Sequence, residues 1–289
     1  MKGIYSFWSK PYYASLEKGF AGFNTEQDFR DSFALSLLCL RKSVDWVQLV
    51  TDSRGYELLV GQFGFQFDAV SLALNDISDN VPSDMWMFGK LKAYSIQCEP
   101  FFHIDFDLYL LKPISNLYRH ASIVTQSVEW FSAYDYPRRM PLLDRLGDLP
   151  NFMQAFDGVP MQNRYAYNVG MIGGQYWAAI REYALAAMQA IESNLFVLRK
   201  LTPQEISDSN VVFEQYFLSC FAKYNNISIV PYIQDLNSRV ELAHKGFCHL
   251  LADNKRNEIY MQGVRNLLKQ NSVTDGIIQS MYRKGVSYE

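Results

Sequence analysis

The residues best suited to chemistry lie in Phe101–Ile114, F-F-H-I-D-F-D-L-Y-L-L-K-P-I. Two carboxylates, Asp105 and Asp107, stand one residue apart inside an apolar run. Alternate residues of a strand share a face, so the pair is expected on one side. Carboxylates this close in apolar surroundings are costly unless a cation lies between them. A hard divalent ion, Mn²⁺ or Mg²⁺, suits oxygen ligands and shares its shell readily with substrate phosphates. There it would stabilise charge building on a departing diphosphate. A bare D-x-D also fits a solvated strand end. The hydrophobic strand before it and Leu111-Lys112-Pro113 after it favour the metal site. His103 should share that face as a hydrogen-bond donor to the carboxylates rather than as a ligand.

Other positions carry open alternatives. Thr51 and Asp52 end a predicted strand, where α/β sheets bind ligands. Asp52 is suited to a base or ribose, but Asp-Ser-Arg-Gly is also turn chemistry, and the turn is slightly favoured. Asn168 interrupts an apolar strand, and its amide suits sugar hydroxyls. Gly170, Gly173 and Gly174 either let backbone approach a ligand or simply end that strand. Trp8, Trp86, Trp130 and Trp177 offer stacking faces, with core packing the default for each.

The elements that must position these groups alternate in type. Strands are expected at Gly3–Trp8, Trp46–Val50, Phe67–Leu74, Phe101–Leu111, Ala121–Gln126, Tyr167–Ile172 and, last, Ile227–Val230. Helical spacing marks Asp28–Lys42, Asp84–Gln97, Gln175–Arg199 and Ser209–Tyr224, with a short helix from Tyr56. Strands separated by helices of this length imply βαβ units and a mostly parallel sheet, hence an α/β fold. Tyr134–Arg164, rich in Pro, Gly, Asp and Arg, is expected to be an irregular excursion covering a site. No repeat or linker divides the chain, so one domain is expected over residues 1–289, with 265–289 as a C-terminal tail.

Composition narrows the classes. At 289 residues, 49% hydrophobic and 15% aromatic, the chain has ample material for a core. A net charge of −3 without a basic run argues against nucleic acid as a partner. Four dispersed cysteines, Cys39, Cys98, Cys220 and Cys248, suggest free thiols in a reducing compartment. Neither a signal-peptide pattern nor an apolar run of about 18 residues is present, so a cytoplasmic protein without a transmembrane segment is expected. The segment Met281-Tyr282-Arg283-Lys284 leaves room for peripheral membrane contact.

Several motifs in order resemble the GT-A-fold glycosyltransferases, over about residues 45 to 255. G-K-L-K-A-Y (Gly89–Tyr94) followed by P-F-F-H-I-D-F-D-L-Y-L-L-K-P-I looks like their basic helix and D-x-D strand. Y-N-V-G-M-I-G-G (Tyr167–Gly174) is similar to the N-x-G-x-x-G-G strand lining the sugar pocket. C-H-L-L-A-D-N-K (Cys248–Lys255) resembles the terminal His and Lys of family-8-like galactosyl- and glucosyltransferases, though Ala252 or Asp253 stands where H-x-x-G-x-x-K has Gly. The resemblance implies a single GT-A-like, Rossmann-like domain with a mixed, mostly parallel sheet flanked by helices. It implies Asp105, Asp107 and His249 as metal ligands, with Asp105 also near the donor's ribose. Lys90 would contact phosphate or Asp105, and Lys255 the diphosphate. Thr51, Asp52, Gly173 and Gly174 would complete the donor site.

Glu214-Gln215 resembles an acidic-Gln pair beyond the sugar pocket. That makes Glu214 a candidate base or stabiliser of the anomeric centre, against the alternative of a helix-surface carboxylate. Asn168 would orient the sugar. The implied activity is metal-dependent transfer from a nucleotide-sugar, a UDP-sugar first, to a sugar, lipid-linked or protein hydroxyl, with retention. It would serve cell-surface polysaccharide or glycolipid synthesis. A metal-dependent nucleotidyltransferase or phosphohydrolase, or an inactive nucleotide-sugar-binding module, are the alternatives.

Overall fold

A computed structural model describes residues 1–274. Nine strands are present among them: β1 (Lys2–Phe7), β2 (Val47–Thr51), β3 (Ala69–Ser71), β4 (Phe101–Ile104), β5 (Leu108–Leu110), β6 (Ile123–Trp130), β7 (Tyr165–Gly174), β8 (Ile229–Pro231) and β9 (Phe247–His249). Seven form one sheet in the order β3-β2-β1-β4-β7-β6-β8, while β5 and β9 pair separately. The pairs β1–β2, β1–β4, β2–β3 and β6–β8 are parallel. Only β7 runs against its neighbours β4 and β6. The fold is therefore α/β, with a mixed, mostly parallel, Rossmann-like central sheet.

Strand alternation builds a core on each face of this sheet. Ile4, Val50, Phe101 and Ile172 point into one, under the helices Met87–Ser95, Trp177–Ser193 and Phe217–Tyr224. Their neighbours Tyr5, Leu49, Phe102 and Met171 point into the other, under the helix Glu26–Arg41. That helix starts where the Thr25 side chain accepts the Asp28 N–H, and Phe29, Phe33, Leu37 and Leu40 recur along it at helical spacing. At Gly3 a Cβ would lie 2.7 Å from Leu40 Cδ2, so the helix seats directly on the backbone of β1.

Three expectations need correction. Phe101–Leu111 is not one strand: β4 ends at Ile104, a turn follows, and β5 joins a different sheet. Asp105 and Asp107 thus belong to a turn rather than to alternating strand positions. Ile227–Val230 is not the last strand, because β9 returns to pair with β5, setting Leu108 opposite His249. The expected tail falls mostly outside the described residues; its described part, residues 265–274, belongs to the helix Glu258–Thr274, which buries Met261 and Val264 and sets Arg265 Nη1 2.7 Å from Asp28 Oδ1. Finally, Tyr134–Arg164 is irregular but helps close a core. Its Phe152 meets Phe217 and Phe221 edge-on, and Phe156 stacks on Tyr216. Met281–Lys284 lies outside the described residues, and no described helix is long and apolar enough to cross a membrane.

The glycines ending β7 are packing residues. A Cβ on Gly173 would stand 2.1 Å from the Phe101 carbonyl oxygen, and Gly174 has φ +133°, a region nearly closed to other residues. Gly173→Ala should therefore destabilise the fold by about 1–3 kcal/mol, as overpacked cores do, measured as a lower midpoint in urea at unchanged slope.

Candidate metal centre

Asp105 and Asp107 converge because the chain reverses between β4 and β5. The Asp105 N–H donates to the Gly170 carbonyl at 2.8 Å, and the Leu108 N–H returns to the Asp105 carbonyl at 3.1 Å. On the far side, β9 sets His249 against β5. One ligand atom from each of Asp105, Asp107 and His249 lies within 4.8 Å of the others.

Asp107 is buried and fully engaged. Its Oδ1 lies 3.3 Å from His249 Nε2 and its Oδ2 lies 2.6 Å from Lys255 Nζ. Burial alone would raise this carboxyl, but the Lys255 ammonium and His249 outweigh it and hold Asp107 well below the usual carboxylate range. His249 Nδ1 meets Gln126 Oε1 at 2.7 Å. With Nδ1–H donating to that amide oxygen, a neutral ring turns its Nε2 lone pair toward Asp107, itself an acceptor. Two acceptors facing each other need a proton or a cation between them. Two carboxylates and an imidazole make a donor set suited to Mn²⁺, and with less nitrogen character to Mg²⁺. Gln126 supplies the outer contact that commonly fixes a ligating histidine.

Gly170 makes this arrangement possible. A Cβ there would stand 2.3 Å from Gln126 Oε1 and 2.5 Å from His249 Cε1. Neither Gln126 nor this role of Gly170 was legible from spacing. The β6 strand was expected, but its bulge between Thr125 and Ser127, which interrupts the pairing register at Gln126, has no local signature.

Lys90 holds the other carboxylate. Its Nζ lies 2.8 Å from Asp105 Oδ1 and 2.6 Å from Glu214 Oε1, all supplied by the helix Met87–Ser95, the turn and the π-helical segment Val212–Tyr216. Burial works against the Lys90 charge, but Asp105 and Glu214 overcome it and push its pKa up. Glu214 is 1% exposed. It is neither a surface carboxylate nor a group facing the cleft; it lies beneath Lys90. Burial pushes its carboxyl up to about 7, Lys90 opposing this and Asp105 adding to it.

A cleft of about 370 Å³ opens beside these groups, lined by Lys90, Asp105, Asp107 and Lys255 and by rings that include Trp8, Tyr12 and Trp86. That volume suits a small-molecule ligand. Trp86 is 43% exposed, with Lys90 Nζ 5.5 Å from its ring centre. Trp130 packs edge-on against Tyr165, and Trp177 packs against the core.

The remaining expected residues lie elsewhere or have other partners. Asp52 caps the helix Ser53–Tyr56 through Gly55 N–H and accepts both N–H and Oγ–H of Ser9, as its turn reading required. Thr51 Oγ1 donates to the Phe7 carbonyl. Both therefore brace the β1 end and the Trp8–Ser9 loop from behind the cleft. The Asn168 amide donates to Glu129 Oε1 and accepts Gly170 N–H, so it supports β6 and β7 rather than meeting the cleft. Gly173 and Gly174 pair with Phe102 and Phe101, whereas the site lies past Ile104 at the other end of β4. His103 bonds Ser6 and Tyr94 rather than the carboxylates.

Lys255 reaches Asp107 from the turn Ala252–Arg256. Counting from His249, Ala252 occupies the glycine place, and its φ of +50° explains why glycine suits that place. The turn is tied to the chain's beginning: Arg256 donates to the Gly22 and Lys18 carbonyls, and Asn24 donates to the Arg256 carbonyl.

Residues 1–275 match a family described as a family of unknown function, DUF6734, and the chain belongs to it. No curated protein matches the chain.

Lys90→Met leaves two carboxylates uncompensated and should destabilise the fold by about 3–5 kcal/mol. The cost should shrink in acid. Glu214 in the folded state binds its proton more tightly than the ordinary 4.5, so stability falls as pH rises from there toward about 7. Removing Lys90 raises the upper edge of that window. Urea denaturation at pH 5 and pH 8 checks this, and Lys90→Met with Glu214→Gln should recover part of the loss at pH 8.

Proposed function

We propose that this chain is a metal-dependent glycosyltransferase that transfers a sugar from a nucleotide-sugar, with a UDP-sugar as the first candidate. One observation carries the reading: a three-ligand oxygen and nitrogen cluster flanked by two lysines at a ring-lined cleft. As it stands, Lys90 and Lys255 balance Asp105 and Asp107. Asp105, Asp107 and His249 would hold Mn²⁺ or Mg²⁺, which would neutralise a diphosphate leaving group.

The chain's own residues supply the rest. With the carboxylates committed to a dication, the two ammonium groups retain positive charge for phosphate oxygens. That charge is largely buried, where it acts more strongly on developing negative charge than it would in water. Lys90 is held from below by Glu214, so its ammonium needs little reorganisation. Lys255 sits on a turn anchored by Arg256 and can exchange Asp107 for a phosphate without unfolding. Trp8, Tyr12 and Trp86 offer faces on which a base or sugar packs while water is displaced. Asp52 fixes the loop that presents Trp8. The Asn168–Glu129 pair stiffens the strands around Gly170 and hence His249.

The acceptor would be a sugar, lipid-linked or protein hydroxyl, with retention following the family resemblance. Action in the cytoplasm fits four free cysteines, Cys39 and Cys220 among them buried. Peripheral membrane contact would serve a lipid-linked acceptor.

The test is thermal stability against UDP-, GDP- and CDP-sugars with Mn²⁺ or with EDTA. A UDP-sugar at about 100 times its Kd should add about 2.7 kcal/mol of stability with Mn²⁺, and none with EDTA or in Asp107→Asn. Turnover should release a nucleoside diphosphate and a glycosylated product. Pyrophosphate release would instead indicate nucleotidyl transfer, and metal-dependent binding without turnover an inactive module.

A further inference from the structure

The Lys255 ammonium has a built seat. Its Nζ lies 2.6 Å from Asp107 Oδ2, while the other oxygen of Asp107 faces His249. It also stands 5.6 Å from the ring centres of both Phe23 and Phe106, whose faces attract a cation. The lysine stem passes over Gly22, where φ is +92° and a Cβ would come within 3.2 Å of Lys255 Cδ. Three segments distant in sequence thus frame one ammonium: the loop at Gly22–Phe23, the turn after β4 and the turn Ala252–Arg256.

The two lysines of the cleft differ in freedom. Lys90 is buried and held by both Asp105 and Glu214. Lys255 is half-buried, lines the cleft and has Asp107 as its one carboxylate partner among the described residues. A flexible stem ending in three donors can turn from one acceptor to another. Of the two, Lys255 is the one able to leave its carboxylate.

Asp107 belongs to the three-ligand cluster, so this contact bears on any cation held there. A carboxylate shared with an ammonium is a poorer ligand for a second cation. The ammonium draws on the same negative charge, and a few ångströms away in a water-poor site it repels a dication directly. A diphosphate changes that balance. It brings two adjacent anionic groups, one to meet the dication and one to draw the ammonium off Asp107. Asp107 is then released wholly to the cation. Each ligand therefore assists the other, by the same factor in both directions.

We propose that Lys255 is a resident counter-cation that competes with free dication for Asp107, so that the centre loads its metal together with a diphosphate rather than before it. This rests on the metal-dependent nucleotide-sugar reading and adds to it a control on loading. Removing the lysine then acts in opposite directions on the two ligands: the cation alone binds more tightly, and the nucleotide with it more weakly. A lysine serving only as a phosphate ligand would weaken the nucleotide and leave the cation unchanged. One serving only the fold would weaken both.

Calorimetric titration of Mn²⁺ into the full chain, alone and with saturating uridine diphosphate or uridine, tests this, with the cation bound to free nucleotide subtracted. In the wild type uridine diphosphate should tighten Mn²⁺ by about 5- to 150-fold, the range of ordinary coupling between sites, and uridine should not. Lys255→Met should bind Mn²⁺ alone more tightly than the wild type, by a factor of the same order, and gain less from uridine diphosphate. Arg256→Ala loosens the turn without touching either carboxylate and should shift both quantities the same way by less. Its shift decides the matter where Lys255→Met does not fold. A folded Lys255→Met that binds Mn²⁺ no more tightly than the wild type overturns the inference and leaves the metal site standing. An undiminished gain from uridine diphosphate in that variant overturns it as well. If no form of the protein binds Mn²⁺ with or without nucleotide, the metal-dependent reading itself fails and this inference with it.

Discussion

A buried carboxylate governs the architecture around the candidate metal centre. Asp107 sits in a turn between two strands of different sheets, and burying its charge is unfavourable without cationic partners. Both partners come from nearly 150 residues later in the chain, His249 on β9 and Lys255 on the turn beyond it. The β5–β9 ladder is thus more than a local ornament. It brings the chain's later residues to the carboxylate, and Arg256 then pins that same segment to Lys18 and Gly22. Loop and site order together, because each is the other's compensation.

Asp105 poses the same problem with a different solution. Here the compensating cation, Lys90, is itself buried and needs a second anion, which Glu214 provides from a π-helical segment. Such segments interrupt α-helices where a side chain must be re-aimed. The result is a chain of alternating charge, Glu214–Lys90–Asp105, leading from the core into the cleft. A buried ion pair adds little net stability once desolvation is counted. What this one supplies is placement: an ammonium whose position is fixed from below before any ligand arrives.

The parts of this design that were legible in sequence are those written locally. The strand and helix periods followed from apolar spacing, and the Asp105–Asp107 pair stood out because two carboxylates interrupt a hydrophobic run. Even there the expected geometry was wrong. A turn, not strand alternation, brings the two together, and the break between β4 and β5 is set by pairing with β9, which no local pattern announces. His249 and Lys255 were identified by resemblance, and the missing glycine between them cast doubt on a spacing that was in fact intact. Ala252 simply adopts the positive φ itself. What could not be read were long-range partners. Gln126 reaches His249 across 123 positions, and Ser6 reaches His103 across 97. A glutamine and a serine in apolar strands look the same whether they bond a ligand, a neighbour or nothing.

Asn168, Asp52 and Glu214 were singled out on different grounds: Asn168 because it interrupts an apolar strand, Asp52 because it ends one, with turn chemistry favoured, and Glu214 by resemblance. Their partners in the structure are alike in kind. A buried polar group is satisfied far more often by protein than by ligand, and here all three are spent on the scaffold: Asn168 on Glu129 and Gly170, Asp52 on Ser9 and Gly55, Glu214 on Lys90. They are nonetheless not irrelevant to the cleft. Each supports a residue that borders the site: Asn168 supports Gly170 and so His249, Asp52 supports the loop of Trp8, and Glu214 supports Lys90. Groups left facing the cleft are those whose own bonding is incomplete without something in it. By that criterion Asp105, which meets Lys90 through Oδ1 and lines the cleft, stands closer to the ligand than any of the three.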